Sequence, residues 1–159
     1  MKQLLRLNPE NVPDREIKNY PVREAVRAVV VDKSNKVALL YVSKKNYYKL
    51  PGGGVEGAED KITALKRECK EEIGSDIEVV CEIGKVTEYR KFSKLKQISY
   101  CYFAKLKGKA GMPNFTAEEI KNGFKELWIP YEKALLLMKG NKAANLEGKA
   151  YIIPRDIAF

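Results

Sequence analysis

The sequence predicts an α/β protein of one domain, a mixed β-sheet packed between helices. Three observations predict it. Valine-rich, partly alternating runs lie before and after one amphipathic helix. A second apolar helix follows late in the chain. No repeat, low-complexity tract or linker divides the 159 residues, a length sufficient to bury a core.

Residues 1–21 are polar and punctuated by Pro9, Pro13 and Pro21, so they read as an N-terminal extension with a short strand at 3–7, ahead of a domain spanning 22–159. Residues 22–31 are rich in valine and read as a strand. Asp32-Lys33-Ser34-Asn35 is a turn, and 36–43 returns as a second strand to make a hairpin. A short extended piece at 47–50 leads into the glycine-rich turn Pro51-Gly52-Gly53-Gly54. A helix is expected over 58–73, because Ile62, Leu65, Cys69 and Ile73 recur at steps of three, four and four, and Gly74 suits its C-terminal cap. Two long strands, 77–89 and 97–106, are joined by a basic loop at 90–96. Residues 107–122 read as a loop, 124–129 as a strand ended by Pro130, and 131–139 as a second core helix closed by Gly140.

Composition narrows the chemistry. The chain has no histidine, which excludes Ser-His-Asp and Cys-His nucleophilic machinery and histidine-ligated zinc. Acid–base work falls to carboxylates, lysine, tyrosine or a metal-bound water. Cys69, Cys81 and Cys101 include no C-x-x-C pair and read as buried thiols of a reducing cytoplasm. No apolar run approaches membrane-spanning length, so no membrane partner is expected. Thirty basic against 21 acidic residues give a net charge of +9. Such a field steers polyphosphates or RNA toward the chain, and charge alone does not separate the two.

The residues that carry chemistry lie in GGVEGAEDKITALKRECKEEIG, positions 53–74. Gly53, Glu59, Arg67, Glu68, Glu71, Glu72 and Gly74 stand at the spacing G-x5-E-x7-R-E-x-x-E-E-x-G. Glu68, Glu71 and Glu72 are related as i, i+3 and i+4, so they share one helical face. Three adjacent like charges destabilise a helix unless a cation offsets them, and hard oxygen ligands suit Mg2+, with Mn2+ as substitute. The apolar stripe runs beside this face, which sets the carboxylates at the edge of the core.

This spacing, with its Pro-Gly-Gly approach, resembles the signature of the Nudix hydrolases. Cys69 and Ser75 depart from the pattern where larger aliphatic residues are usual; both positions concern packing. The resemblance implies an α/β/α sandwich and a Mg2+-dependent hydrolysis of a nucleoside diphosphate linked to another group. It implies metal ligation by Glu68, Glu71, Glu72 and the carbonyl of Gly52. It also implies that Arg67 holds Glu68 and pairs with Glu59, and that Gly53, Gly54 and Tyr48 stand near the substrate. Glu68 is the first candidate for general base, with Glu118 or Glu119 of the 107–122 loop as an alternative. Lys44, Lys45 and Lys49 before the box, and Arg90, Lys91, Lys94 and Lys96 after it, are candidate phosphate contacts. The leading expectation is a MutT-like enzyme that cleaves a nucleoside triphosphate, canonical or oxidised, to monophosphate and pyrophosphate. Removal of pyrophosphate from an RNA 5′ end is the alternative enzyme, and a non-catalytic nucleotide sensor the alternative of another class. A cytoplasmic monomer or homodimer is expected.

Overall fold

The computed structural model describes residues 1–159 and shows how the glycine turn reaches the sheet. Seven strands form one mixed sheet: β1 (Gln3–Leu7), β2 (Val22–Val31), β3 (Lys36–Val42), β4 (Tyr47–Lys49), β5 (Asp76–Arg90), β6 (Leu95–Lys107) and β7 (Phe124–Pro130). Five helices accompany them: α1 (Asp14–Ile17), α2 (Lys61–Ile73), α3 (Ala117–Asn122), α4 (Tyr131–Lys139) and α5 (Ile153–Ala158), the last entered through a π-helical turn at Gly148–Ile152.

Alternation along the strands gives the sheet two apolar faces. Val26, Ala28 and Val30 of β2, with Ala38 and Leu40 of β3, pack under Ala64, Leu65, Cys69 and Ile73 of α2. Val37 and Leu39 of β3, with Cys101, pack against Ala134 and Met138 of α4 on the other side. One helix layer on each face makes the α/β/α sandwich. Fully burying a side chain such as Leu65 or Ile73 contributes about 1.5–3 kcal/mol, which anchors α2 by the stripe that runs beside its carboxylates.

The centre of the sheet is where the site is built. β2 runs parallel to β6 along its whole length, yet shares only the pair Val31↔Val37 with β3. β3 is instead filled in by β4 and β7. Into the gap beside β2 comes the glycine segment, whose backbone behaves as a short surrogate strand. Val26 N donates to Gly53 O at 2.9 Å, Ala28 N to Pro51 O at 3.0 Å, and Val55 N to Glu24 O at 3.0 Å. Gly52 adopts φ 129°, and a Cβ there would lie 2.2 Å from Val26 O. No larger residue fits this approach.

Several expectations are corrected. Helix α2 begins at Lys61, because the Asp60 side chain caps it, accepting from Ile62 N at 2.8 Å and Thr63 N at 3.0 Å. The stretch read as a loop at 107–122 contains α3, started by a capping box between Thr116 and Glu119. Helix α5 and the turn before it were not anticipated. β1 pairs in parallel with β5 and extends the sheet. Cys69 and Cys101 are buried, but Cys81 is exposed, on the outward side of β5 next to a bulge. No helix is long and apolar enough to cross a membrane.

Candidate active site

The carboxylate face of α2 lines a cavity of about 490 Å³ together with the glycine turn, β2, β4, α3 and the C-terminal segment. The two departures from the usual box are accommodated by packing. Cys69 sits in the α2 core, and the buried Ser75 hydroxyl donates to Ile73 O at 2.7 Å.

Arg67 organises the acidic residues. Its guanidinium grips Glu59 with two nitrogens, at 2.8 and 3.3 Å, and donates from Nη2 to Gly54 O at 3.0 Å. Its Nη1 reaches Glu68 Oε1 at 2.9 Å and Glu71 Oε2 at 3.3 Å. One forked cation therefore ties the first residue of the motif, the glycine backbone and two box carboxylates together, a geometry lysine cannot reproduce. The hydrogen bonds that Arg67 donates hold the Glu59 carboxyl below the usual carboxylate range, and the same bonds raise the Arg67 pKa in turn. Glu68 behaves differently. Burial raises its pKa despite Arg67, so it binds a proton more readily than an exposed carboxylate.

Glu72 is 1% exposed and lies deepest. It accepts from Gly52 N at 2.6 Å and from Lys49 Nζ at 2.7 Å. Lys49 also reaches Gly52 O at 3.4 Å, and its ammonium stands 5.1 Å from the centre of the Phe124 ring. Burial outweighs these partners and raises the Glu72 pKa. The three box carboxylates are thus not gathered into a ready cage. Glu72 is turned to Lys49, while Glu68 and Glu71 are turned to Arg67. The donor set still fits a hard divalent cation: it consists of oxygens only, and a cation, the Lys49 ammonium, already rests between Glu72 and Gly52 O.

The other anticipated residues divide. Gly53 faces Glu68 so closely that a Cβ would come within 2.4 Å of its carboxyl atoms, and one on Gly54 would meet the Arg23 guanidinium at 2.8 Å. Glu118 and Glu119 both line the cavity, but the Glu119 carboxylate accepts from Thr116 N and Oγ at 2.8 and 2.9 Å. Tyr48 does not reach the cavity. Alternation along β4 sends Tyr47 and Lys49 inward and stacks Tyr48 on Tyr41, with ring centres 4.7 Å apart. Lys45 and Arg90 line the cavity; Arg90 is drawn inward by Glu88 and Glu147 and does not belong to a solvated loop.

Sequence reading missed the opposite wall. The register sets Arg23 of β2 beside Gln97 of β6, and Gln97 beside Glu88 of β5. Arg23 donates to Gln97 at 2.6 Å. The buried Glu88 receives Arg90 on one oxygen and Arg155 of α5 on the other, and Arg155 also holds Asp156 at 2.6 Å. Arg27 lies next to this network. Burial, and after it the Arg155 guanidinium, lowers its pKa to about 10. A charged residue within a buried valine run was the one signal available for it.

A glycine turn laced to a strand, followed by a helix that offers carboxylates beside an arginine clamp, is the arrangement the fold brings together. The NUDIX domain family model matches residues 21–150, and the chain belongs to that family. Among curated relatives, the RNA pyrophosphohydrolase of Pelagibacter ubique is 38% identical over 74 residues, 45% of this chain and 47% of that protein. The RNA pyrophosphohydrolase of Campylobacter jejuni is 34% identical over 91 residues, 54% of this chain and 57% of that protein. The chain spans about half the length of the curated relatives it matches. The solution structure of the E. coli ORF135 protein superimposes with a TM-score of 0.59 at 18% identity, covering 89% of this chain and 92% of that one, a likeness of fold.

Proposed function

We propose that this protein hydrolyses a phosphoanhydride bond in a nucleoside polyphosphate, with residues 22–159 carrying the activity. The arrangement of Arg67 between Glu59, Glu68, Glu71 and Gly54 O is the observation that carries the reading. It positions carboxylates over a glycine turn, a placement that serves catalysis at a phosphoanhydride.

Gly52 O, Glu68, Glu71 and Glu72 would hold Mg2+ or Mn2+. When bound, the cation neutralises phosphate oxygens and lowers the pKa of an attacking water. Lys49 keeps Glu72 paired and in place. Arg67 fixes the Glu68 rotamer, and burial gives that carboxyl the raised proton affinity that suits a general base. Glu118 is the second candidate, because its carboxylate carries none of the capping bonds that occupy Glu119.

RNA 5′ ends and free nucleoside triphosphates are the two substrate classes. The curated relatives are RNA pyrophosphohydrolases, and this chain's net charge of +9 favours a polyanion, so RNA is the second reading to test beside the nucleotide. A Mg2+-dependent screen over both classes, with Glu72→Gln as control, decides. Turnover by the wild type and loss in the variant are expected, and the fastest substrate names the class. Equal turnover by both proteins would overturn the site.

A further inference from the structure

Arg27 is an unusual cation. It is 7% exposed, yet no carboxylate hydrogen-bonds to it; Asp156, Glu72 and Glu88 favour its charge only through space. Its Nη1 donates to Val26 O at 2.6 Å and to Gly53 O at 3.3 Å, and its Nε has no partner. Buried charges are ordinarily paired, and a guanidinium left with backbone carbonyls is short of an anion. Arg155, 1% exposed, is nearby and its Nη2 also lacks a partner, although Nε and Nη1 are taken by Asp156 and Glu88. Both residues line the cavity that holds the carboxylates, as do Arg23 and Arg90. Gly53 joins the two poles: its carbonyl accepts from Arg27, and the Glu68 carboxylate lies against its Cα.

We propose that Arg27, backed by Arg155 of the C-terminal helix, forms an anion subsite that takes a phosphate group one step removed from the carboxylate pole. A diphosphate then spans the cavity, with one phosphoryl group at the carboxylates and the next at Arg27. Arg155 acts as a positioning residue: it sets the positive field behind Arg27 and ties α5 to Glu88. It lies beyond the family-matched region at 21–150, so this part of the subsite belongs to the chain's own C-terminal segment. Assignment of the bound group to a substrate rests on the hydrolase reading; the anion binding itself does not.

The test is calorimetric titration of the full chain with inorganic pyrophosphate in EDTA, so that no divalent cation bridges the ligand. Wild type and Lys33→Gln, a substitution in the exposed turn between β2 and β3, should bind alike. Arg27→Gln should weaken binding about tenfold or more, as loss of a charge-assisted contact does, and Arg27→Lys should recover part of it. Absence of binding by the wild type, or unchanged binding by Arg27→Gln, would overturn the subsite. If Arg27→Gln shows no cooperative thermal transition, Arg27→Lys carries the test, and unchanged affinity in it overturns the subsite. A short RNA with a 5′ triphosphate should show the same dependence on Arg27. Equal binding of the same RNA with a 5′ hydroxyl would overturn the assignment to the terminal polyphosphate. Arg27-dependent binding without turnover on any substrate would refute the hydrolase and leave the subsite standing.

Discussion

Gly52 and Gly53 are neighbours, and replacing each by alanine should damage different properties. At Gly52 the backbone has φ 129° and the new Cβ would lie 2.2 Å from Val26 O, an atom of the sheet that cannot move aside. The unfavourable backbone region alone costs about 1–3 kcal/mol. For a domain of this size about 1 kcal/mol shifts the melting temperature by 2–4 °C, so the middle of both ranges predicts a loss of about 6 °C in Gly52→Ala, with the contact at Val26 O adding to it. At Gly53 no positive φ is required, and the atoms met at 2.3–2.4 Å are the carboxyl group of Glu68, the free end of a flexible side chain. That group can retreat by about 1 Å, which restores ordinary contact at little cost in stability. The same displacement moves the carboxylate proposed as general base, and errors of that size lower rates by about a hundredfold. Gly53→Ala should therefore melt within about 2 °C of the wild type while losing most of its turnover. Thermal unfolding and Mg2+-dependent pyrophosphate release, measured on the same preparations, check both statements. Wild-type turnover in Gly53→Ala would refute the placement of Glu68, and a wild-type melting temperature in Gly52→Ala would refute the close approach to β2.

Two further outcomes separate chemistry from support. Glu118→Gln should lower turnover with little change in stability, whereas Glu119→Gln should chiefly loosen α3 through its capping bonds; a larger catalytic loss at Glu119 would reverse the order of the two candidates. Glu24 accepts from the Tyr100 hydroxyl at 2.7 Å, and that bond, with Lys61, lowers its pKa below the ordinary 4.5. A depressed carboxylate contributes stability above its unfolded pKa and loses it as pH falls through the folded one. Tyr100→Phe should accordingly melt lower than the wild type at pH 7, and the gap should narrow as pH falls below 4.5 and through the lowered folded pKa of Glu24; a gap that stays constant through that fall would sink this account.

What was legible in the sequence was what short-range order encodes. The stripe Ile62, Leu65, Cys69 and Ile73 gave α2 and its buried face, and the carboxylate spacing gave the acidic face beside it. The Arg67–Glu59 pair is formed as the resemblance implied. The start of α2 was misplaced because apolar spacing says nothing of Asp60, whose side chain ends the preceding turn. Helix α3 was written in Thr116-x-x-Glu119 and Gly123, a capping box and a left-handed terminus, but the short stretch between them carries no apolar stripe. Helix α5 was hidden by Pro154, which reads as a breaker yet sits in the first turn, where its missing N–H costs nothing. The arginine wall was beyond reach, because Arg23, Glu88, Gln97 and Arg155 meet only through strand register and the docking of α5. Lys49 looked like one more phosphate contact; only the fold reveals it as the partner of Glu72.

The lacing of the glycine segment to β2 makes the active site observable without substrate. The amides of Val26 and Ala28 donate to Gly53 O and Pro51 O, so they can exchange with deuterium only when the turn lifts from the strand. Their protection measures how often the site opens in solution. Amides of β2 that donate into β6 provide the reference for the surrounding sheet. A ligand or ion that secures the turn would slow the first set and leave the second unchanged.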